Sequence, residues 1–178
     1  WVAGYTGSAD FPVLNAYQSS LRGWRDAFVS HFSSTGALIL STYLGGESSD
    51  SGDALAGDGG GGVWVAGTTH STDFPVLNAY QNSYGGSEYD AFVSHFSSTG
   101  ILLSSTYLGG RSWDLEAALA DDGAGGVWVA GFTKSTDFPV LNAYQSSLRG
   151  GYDTFVSHFS SSGTLLSSTY LGGWSSDY

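Results

Sequence analysis

The side chains that could do chemistry in this sequence recur at a fixed spacing. The motif DAFVSHF or DTFVSHF occurs three times, so that Asp26 precedes the neighbouring pair Ser30 and His31. Such a set suggests the nucleophile, base and orienting acid of a hydrolase. Neighbours on a strand point to opposite faces, however, so Ser30 cannot bond His31. Because the set is also present in every copy, we interpret it as a polar position at the surface of a sheet and predict no enzyme.

Recurrent aspartates beside glycine-rich turns are the second candidate set. Asp50 and Asp114 follow a Gly-Gly pair, and Asp58 and Asp122 lie in the glycine-rich turn. Carboxylates on such loops can supply the roughly six to eight oxygens that Ca²⁺ needs. The alternative is that each aspartate caps its own backbone, and no DxDxDG spacing occurs. The run Gly57–Gly62 precedes a strand instead of opening a helix, so we interpret it as a turn and not as a nucleotide loop.

The copies differ at two connections, and these positions are the third candidate set. The tips 19–25, 82–89 and 146–152 diverge, and so do the residues after each STYLGG segment. In a four-stranded meander these connections lie at the same end, where loops on a rigid scaffold commonly bind ligands. Exposed tips also drift without function. The candidate ligand or partner contacts are Trp24, Trp113, Trp174, Arg22, Arg149, Tyr84, Tyr89 and Tyr152.

All of these residues belong to a unit of 63 or 64 residues that is copied along the chain. WVAG begins at Trp1, Trp64 and Trp128, and the 178 residues hold about 2.8 copies. A period of this size indicates stacked supersecondary units. We divide the chain into residues 1–46, which lack a first strand, residues 47–110, and residues 111–178, which include the start of the next connection.

Each unit contains four strand-like runs and no convincing helix. In the second unit the runs are 53–57, 63–69, 90–96 and 101–108, and the first run of the third unit is 116–120. In the third run Ala91 and Val93 oppose Phe92 and Phe96. In the fourth run we expect Leu102 and Leu108 to oppose Leu103 and Tyr107. Both faces are therefore apolar and need cover. The pattern predicts an all-β fold of tandem four-stranded antiparallel blades of β-propeller type.

The connection between the second and third runs is too long for a hairpin loop. Pro12, Pro75 and Pro139 occupy the same position in it, where proline keeps a segment out of a sheet ladder. We expect this stretch to fold back as an apolar flap over a blade edge, with one helical turn at LNAYQ. The short turn 97–100 ends in a glycine suited to a positive φ.

Together, WVAGxTxSxDFPVLNAYQ, DAFVSHF, STYLGG and ALAxDGxGGVWVAG resemble the SBBP family of β-propeller repeats over the whole chain. The resemblance implies a bacterial or archaeal origin, export, and blades in large multi-repeat surface proteins. It implies no particular chemistry. The sequence departs from the family at His31, His95 and His158, where we expect lysine or a similar exposed polar residue.

The charge and composition of the chain argue against several classes of partner and exclude disulfide bonds. The net charge is −11 with five Lys and Arg, which argues against nucleic acid and anionic membranes, and no apolar run approaches a membrane span. The absence of cysteine excludes disulfides. The composition is typical of secreted or cell-surface proteins.

The leading hypothesis is a non-enzymatic extracellular structural repeat protein. It would form part of a surface appendage or fibre through head-to-tail contacts with copies of itself or with adjoining repeats. The alternative is a carbohydrate-binding, lectin-like module that uses the loop-tip aromatics. Because the first blade is incomplete, we also expect another polypeptide segment to complete the stack.

Overall fold

The computed structural model describes residues 1–86 and 88–178, with the backbone alone at Glu116 and Ala117. Within that part the chain forms eleven strands and no helix. The strands are β1 (Val2–Thr6), β2 (Asp26–Phe32), β3 (Leu38–Leu44), β4 (Asp50–Gly57), β5 (Val63–Thr69), β6 (Asp90–Phe96), β7 (Leu102–Leu108), β8 (Asp114–Asp121), β9 (Val127–Thr133), β10 (Asp153–Phe159) and β11 (Leu165–Leu171). No helix in the described residues is long and apolar enough to cross a bilayer.

The strands form three antiparallel meanders. Sheet 1 has the order β1-β2-β3, sheet 2 the order β4-β5-β6-β7, and sheet 3 the order β8-β9-β10-β11. The three, four and four strands fall within the three ranges predicted from the repeats. Sheets 1 and 2 pack face to face, as do sheets 2 and 3, and the described residues do not close the three sheets into a ring.

Two apolar clusters hold the stack together, one on each face of sheet 2. The first lies between sheets 1 and 2, where Phe92 and Phe96 pack against Ala27 and Val29. The second lies between sheets 2 and 3 and includes Trp64. Both faces of the middle sheet are buried, as the two-sided apolar pattern predicts. The aromatic side chains that recur at fixed positions of the repeat are buried wherever a neighbouring sheet covers them, as at Trp64, Phe92, Phe155, Tyr107 and Tyr170.

One predicted alternation is wrong because the fourth strand of each unit contains a bulge. The register of β6 and β7 shifts between His95 and Phe96, so the partner of Phe96 is Leu102 and the partner of His95 is Ser104. The extra residue in β7 reverses the alternation. Leu102 therefore lies in the same cluster as Tyr107, and Leu103 is 40% exposed.

The long connection covers a sheet edge, as predicted, but it does so without a helical turn. In each unit it forms isolated antiparallel bridges with the last strand, such as Leu77 with Ser105 and Gln81 with Tyr107. The helical turn at LNAYQ is wrong because the asparagine adopts a left-handed conformation, with φ of 48° at Asn78. Its side-chain amide donates to the Leu103 carbonyl (3.0 Å) and so ties the connection to the edge strand.

Only part of the predicted apolar flap is buried. Phe74 packs in the cluster between sheets 1 and 2, whereas Val76, Leu77 and Tyr80 are exposed. Two hydrogen bonds fix the position of Phe74. Its backbone amide donates to the Tyr107 hydroxyl (2.9 Å), and that hydroxyl donates to the Ser71 carbonyl (2.8 Å). The tyrosine of STYLGG thus anchors the start of the flap.

Replacement of Phe92 by alanine tests the face-to-face packing. Phe92 is fully buried between sheets 1 and 2, so Phe92→Ala should lower the free energy of unfolding by about 3–5 kcal/mol. Urea denaturation measures this change. Leu103→Ala, in the same sheet but outside both clusters, is the matched control and should cost only about 1 kcal/mol. Equal effects of the two substitutions would contradict the packing.

Candidate functional site

The variable tips and the variable connections meet at one end of the sheets, which we call the loop end. The amide of Asp50 donates to the Arg25 carbonyl, and the amide of Asp114 donates to the Tyr89 carbonyl, each at 2.9 Å. Asp177 makes the same bond to Tyr152 at 2.8 Å. Backbone hydrogen bonds therefore bring each tip beside the connection that leaves the same sheet, as the meander topology predicts.

Aromatic side chains line two open grooves at the loop end. The first groove, about 450 Å³ in volume, is lined by Tyr5, Gly7, Trp24, Arg25 and Ser49. The Arg25 guanidinium lies over the Tyr5 ring, 4.7 Å from its centroid. Trp24 is 87% exposed, so its indole is available to a ligand.

The second groove, about 400 Å³, is the more aromatic of the two. It is lined by Tyr89, Trp113, Leu115, Phe132, Tyr152 and Tyr178. Tyr89 meets Trp113 edge to face, with ring centroids 5.9 Å apart. Three of the predicted contacts, Tyr89, Trp113 and Tyr152, are thus brought together. The sequence did not predict Phe132 or Tyr178, since neither lies in a variable tip.

The other predicted contacts are placed separately. Trp174 is 90% exposed and lines neither groove. Arg22 and Arg149 are exposed, and their backbone amides cap Asp26 and Asp153. Tyr84 is partly buried, because it packs on the core against Tyr107, and burial raises the pKa of its hydroxyl. Ser87, which lies in the second tip, is outside the described residues.

Asp50 and Asp114 organise the junctions where the chain enters a new sheet. The Asp50 carboxylate accepts hydrogen bonds from the Thr69 hydroxyl, the Ser71 hydroxyl (2.8 Å) and the Gly46 amide (2.9 Å). Asp114 accepts the equivalent three bonds from Thr133, Ser135 and Gly110. Sequence reasoning missed these hydroxyl partners, although the recurring TxS in each repeat was visible.

Asp58 and Asp122 lie at the opposite end of the sheets and brace the glycine-rich turn. Asp58 accepts from the amides of Gly60 and Gly62, both at 2.8 Å, and lies 3.0 Å from Nε2 of His95. His95 in turn stacks on Trp64, with ring centroids 4.1 Å apart. Asp122, His158 and Trp128 repeat the arrangement. These hydrogen bonds lower the pKa of Asp122, and His95 and the turn amides lower the pKa of Asp58 against the effect of burial.

The histidines therefore do not occupy the exposed surface position predicted for them. His95 is buried, and His31 stacks on Trp1 as His95 does on Trp64. The cross-strand register places each histidine beside the tryptophan of the preceding strand. The Ser30 hydroxyl forms a hydrogen bond with the Ser41 hydroxyl at 2.8 Å.

The geometry favours caps over calcium at the four predicted aspartates. Asp50 and Asp58 lie at opposite ends of β4, so they cannot share an ion, and each is hydrogen-bonded to nearby donors. Among the described residues, no three His, Cys, Asp or Glu side chains converge in a way that could hold a metal. Calcium binding therefore stays a prediction of the sequence alone.

Burial changes the titration of the loop-end carboxylates. Burial raises the pKa of Asp50 and of Asp114 to about 6, more than their hydroxyl and amide donors lower it. Burial likewise raises the pKa of Asp90 to about 7. Since the usual pKa of aspartate is about 3.9, these three carboxylates bind more protons in the folded chain than in the unfolded chain between about pH 4 and 7.

The stability of the chain should therefore rise as the pH falls from 8 to 5. The contribution of Asp50, Asp90 and Asp114 is fully present below the unfolded pKa and is lost as the pH rises through the folded values, at about 1 kcal/mol or more per carboxylate over this range. Thermal unfolding at the two pH values measures it. Burial lowers the pKa of His70, so this side chain lowers the stability of the fold as the pH falls. The equivalent residue of the third repeat is Lys134. His70→Lys should therefore increase the dependence of stability on pH. A melting temperature that is higher at pH 8 would contradict the assignment.

No family model matches this sequence, so the resemblance to SBBP repeats stays a prediction. The chain is similar to the regulatory protein FlaEY of Caulobacter vibrioides, with 30% identity over 144 residues. The match covers 80% of this chain and 15% of that protein. The similarity therefore concerns a segment of a much longer chain.

Proposed function

We propose that this chain is a non-enzymatic structural repeat module of an extracellular surface appendage or fibre, in which sheets stack head to tail. The observation that carries the proposal is that each outer face of the stack repeats the residues of a face that is buried inside it. The FlaEY similarity supports a modular role, because the matching segment is a small fraction of that protein.

The outer face of sheet 1 repeats the face of sheet 2 that packs on sheet 1. By position in the repeat, Val2, Phe28, Phe32 and Leu38 correspond to Val65, Phe92, Phe96 and Leu102. All four counterparts are buried in the cluster between sheets 1 and 2. On sheet 1, Val2 and Phe32 are exposed and the other two are half-buried.

The outer face of sheet 3 repeats the face of sheet 2 that packs on sheet 3. Trp128, Ala130, Val156 and Leu171 correspond to the buried residues Trp64, Ala66, Val93 and Leu108. Leu108 is fully buried, whereas Leu171 is 52% exposed. The outer face of sheet 3 is therefore complementary to the outer face of sheet 1 of a second copy, in the way that neighbouring sheets are complementary within the chain. Contact between the two outer faces would extend the same packing.

The stack also has a recurring polar contact between neighbouring sheets. The Trp1 indole N–H donates to the Gly61 carbonyl (3.1 Å), and the Trp64 indole N–H donates to the Gly125 carbonyl (3.0 Å). In each case the tryptophan of one sheet reaches the glycine-rich turn of the next. Trp128, at the same position of sheet 3, is 41% exposed, so it presents this donor to a further repeat.

Association should depend on the outer face of sheet 3. Leu171→Asp should weaken self-association at least tenfold, because it places a charge in an apolar contact. Leu166→Asp is the matched control on the same strand. Leu166 is 42% exposed and its counterpart Leu103 in the middle sheet is 40% exposed, so a neighbouring sheet does not cover this position. Analytical ultracentrifugation over a range of concentrations measures both variants.

Electron microscopy of the concentrated chain should show linear stacks. A chain that stays monomeric at all concentrations, or equal effects of Leu171→Asp and Leu166→Asp, would contradict head-to-tail assembly. A heterologous contact of this kind gives a filament unless its rotation closes a ring.

A second candidate function, carbohydrate binding, is favoured by the two aromatic grooves. Indole and phenol rings on an exposed rim can stack on the apolar faces of sugar rings. Trp113→Ala, which opens the second groove, should abolish binding on a glycan array. Trp174→Ala is the matched control, because Trp174 is exposed but lines neither groove. Absence of binding by the unaltered chain, or equal loss in both variants, would contradict this function.

A further inference from the structure

Each junction between sheets is closed by the same set of hydrogen bonds. At the junction of sheets 1 and 2, the turn 46–50 leaves sheet 1 and meets the end of β5. Besides the bonds to Asp50, the Glu47 amide donates to Asp73 (2.8 Å), the Ser48 amide donates to the Ser71 hydroxyl (3.0 Å), and the His70 amide donates to the Ser49 carbonyl (2.9 Å).

The junction of sheets 2 and 3 repeats every one of these bonds. The Arg111 amide donates to Asp137 (2.9 Å), the Ser112 amide donates to the Ser135 hydroxyl (2.9 Å), and the Lys134 amide donates to the Trp113 carbonyl (2.8 Å). Asp50 and Asp114 are both buried at the centres of their junctions, and so are Ser71 and Ser135. Each junction thus has two halves. One is a turn that begins at a glycine and ends at a buried aspartate, and the other, which we call the receiving segment, has the pattern Thr-x-Ser-x-Asp.

A third copy of the turn is present beyond sheet 3, already folded. The Gly173 amide donates to the Asp177 carboxylate (2.8 Å), as the Gly46 amide does to Asp50. The turn is also held on sheet 3, because the backbone amide of Asp177 donates to the Tyr152 carbonyl and the ring centroids of Tyr178 and Phe132 lie 5.3 Å apart. Asp177 is half-buried and Trp174, Ser175 and Ser176 are exposed.

A third copy of the receiving segment lies at the other end of the stack, on sheet 1. Thr6, Ser8 and Asp10 correspond to Thr69, Ser71 and Asp73. The Ser8 amide donates to the Thr6 hydroxyl (3.1 Å), as the Ser71 amide does to Thr69 (2.9 Å), so this half is also formed in advance. Ser8 is exposed, whereas Ser71 and Ser135 are 1% exposed.

In each formed junction, the second glycine of the Gly-Gly pair lies in close contact with the receiving segment. A Cβ on Gly46 would lie 2.2 Å from the Asp73 carboxylate, and one on Gly110 would lie 2.5 Å from that of Asp137. Glycine is required there because the receiving segment approaches so closely. A Cβ on Gly173 would meet only the Asp177 carboxylate, at 4.0 Å. The third turn therefore has room for a receiving segment, and none of the described residues other than Asp177 and the chain neighbours of Gly173 lies within 4 Å of that position.

We propose that the turn 173–177 of one copy of this chain inserts against Thr6, Ser8 and Asp10 of a second copy and completes a third junction. The inference rests on the proposed head-to-tail function and names the contact that sets its register. The occupant is a second copy because both halves are on this chain and each matches a formed junction. By the register of the formed junctions, the insertion places Asp177 of one copy beside Thr6, at the end of β1 of the next copy.

Complementation between two variants tests the junction. Asp177→Ala removes the acceptor of the turn, and the double change Thr6→Val with Ser8→Ala removes the donors of the receiving segment. Each variant alone should associate at least tenfold more weakly than the unaltered chain, because hydrogen bonds to a carboxylate are lost. A mixture should form a 1:1 complex through the one pair of intact halves, at concentrations where each variant alone is monomeric. Sedimentation velocity measures all three samples.

The controls separate this junction from the folding of the chain and from the proposed function. Asp121→Ala removes an exposed carboxylate that caps the Gly123 amide far from the loop end, and it should associate like the unaltered chain. Asp177→Ala should keep the melting temperature of the monomer, whereas Asp114→Ala should lower it, because Asp114 is buried in a formed junction.

The results for these variants distinguish a failure of the junction from a failure of the proposed head-to-tail function. Association that is sensitive to Leu171→Asp but not to Asp177→Ala would overturn the junction and leave head-to-tail stacking intact. A mixture that fails to form the 1:1 complex would overturn the junction as well. A chain that does not associate at all would overturn the proposed function itself.

Discussion

The structure depends on the fact that both faces of each sheet are apolar. A four-stranded sheet with Phe92 and Phe96 on one face and Trp64 and Val93 on the other cannot leave either face in water at a low free energy. A neighbouring sheet with the same pattern supplies the cover, and that neighbour then presents an apolar face of its own. Repetition and stacking are therefore two consequences of one packing requirement.

Polar contacts at the two ends of the sheets set the relative position of neighbours. At the loop end, Asp50 and Asp114 fix where the chain enters the next sheet, with threonine and serine hydroxyls that satisfy the buried carboxylates. At the opposite end, Trp1 and Trp64 each join a histidine on their own sheet to a glycine-rich turn on the next. Apolar packing is non-directional, so these directional bonds determine the register of the stack.

The loop end combines these structural contacts with the residues that differ between copies. The tips are joined to the connections through backbone atoms, as in the bond from Asp114 to Tyr89. Side chains such as Trp24 and Trp113 are therefore free to vary without loss of the junction. This separation explains how one scaffold can present different aromatic surfaces from repeat to repeat, whether they serve assembly or a ligand.

The sequence by itself determined the local elements. The repeat spacing located the units, the β-branched and aromatic runs predicted β5 and β6 at their observed limits, and the rejection of a Ser30 and His31 pair followed from strand geometry. These features depend on residues close together in the chain, where alternation and turn chemistry act directly. The resemblance, the localisation and calcium binding rest on the sequence only.

Tertiary structure alone decided the features that depend on distant pairs. The bulge that reverses the fourth strand at Leu103 lies opposite the step from His95 to Phe96 in β6, where the register of the two strands shifts. The burial of His95 follows from its cross-strand position beside Trp64 and from Asp58, which is 37 residues away. The hydroxyl partners of Asp50 and Asp114, with which Asp177 is compared in the proposed junction, lie 19 and 21 residues away in the chain. Each of these contacts joins separate strands, and a pattern read along one strand holds no information about which partner lies across from it.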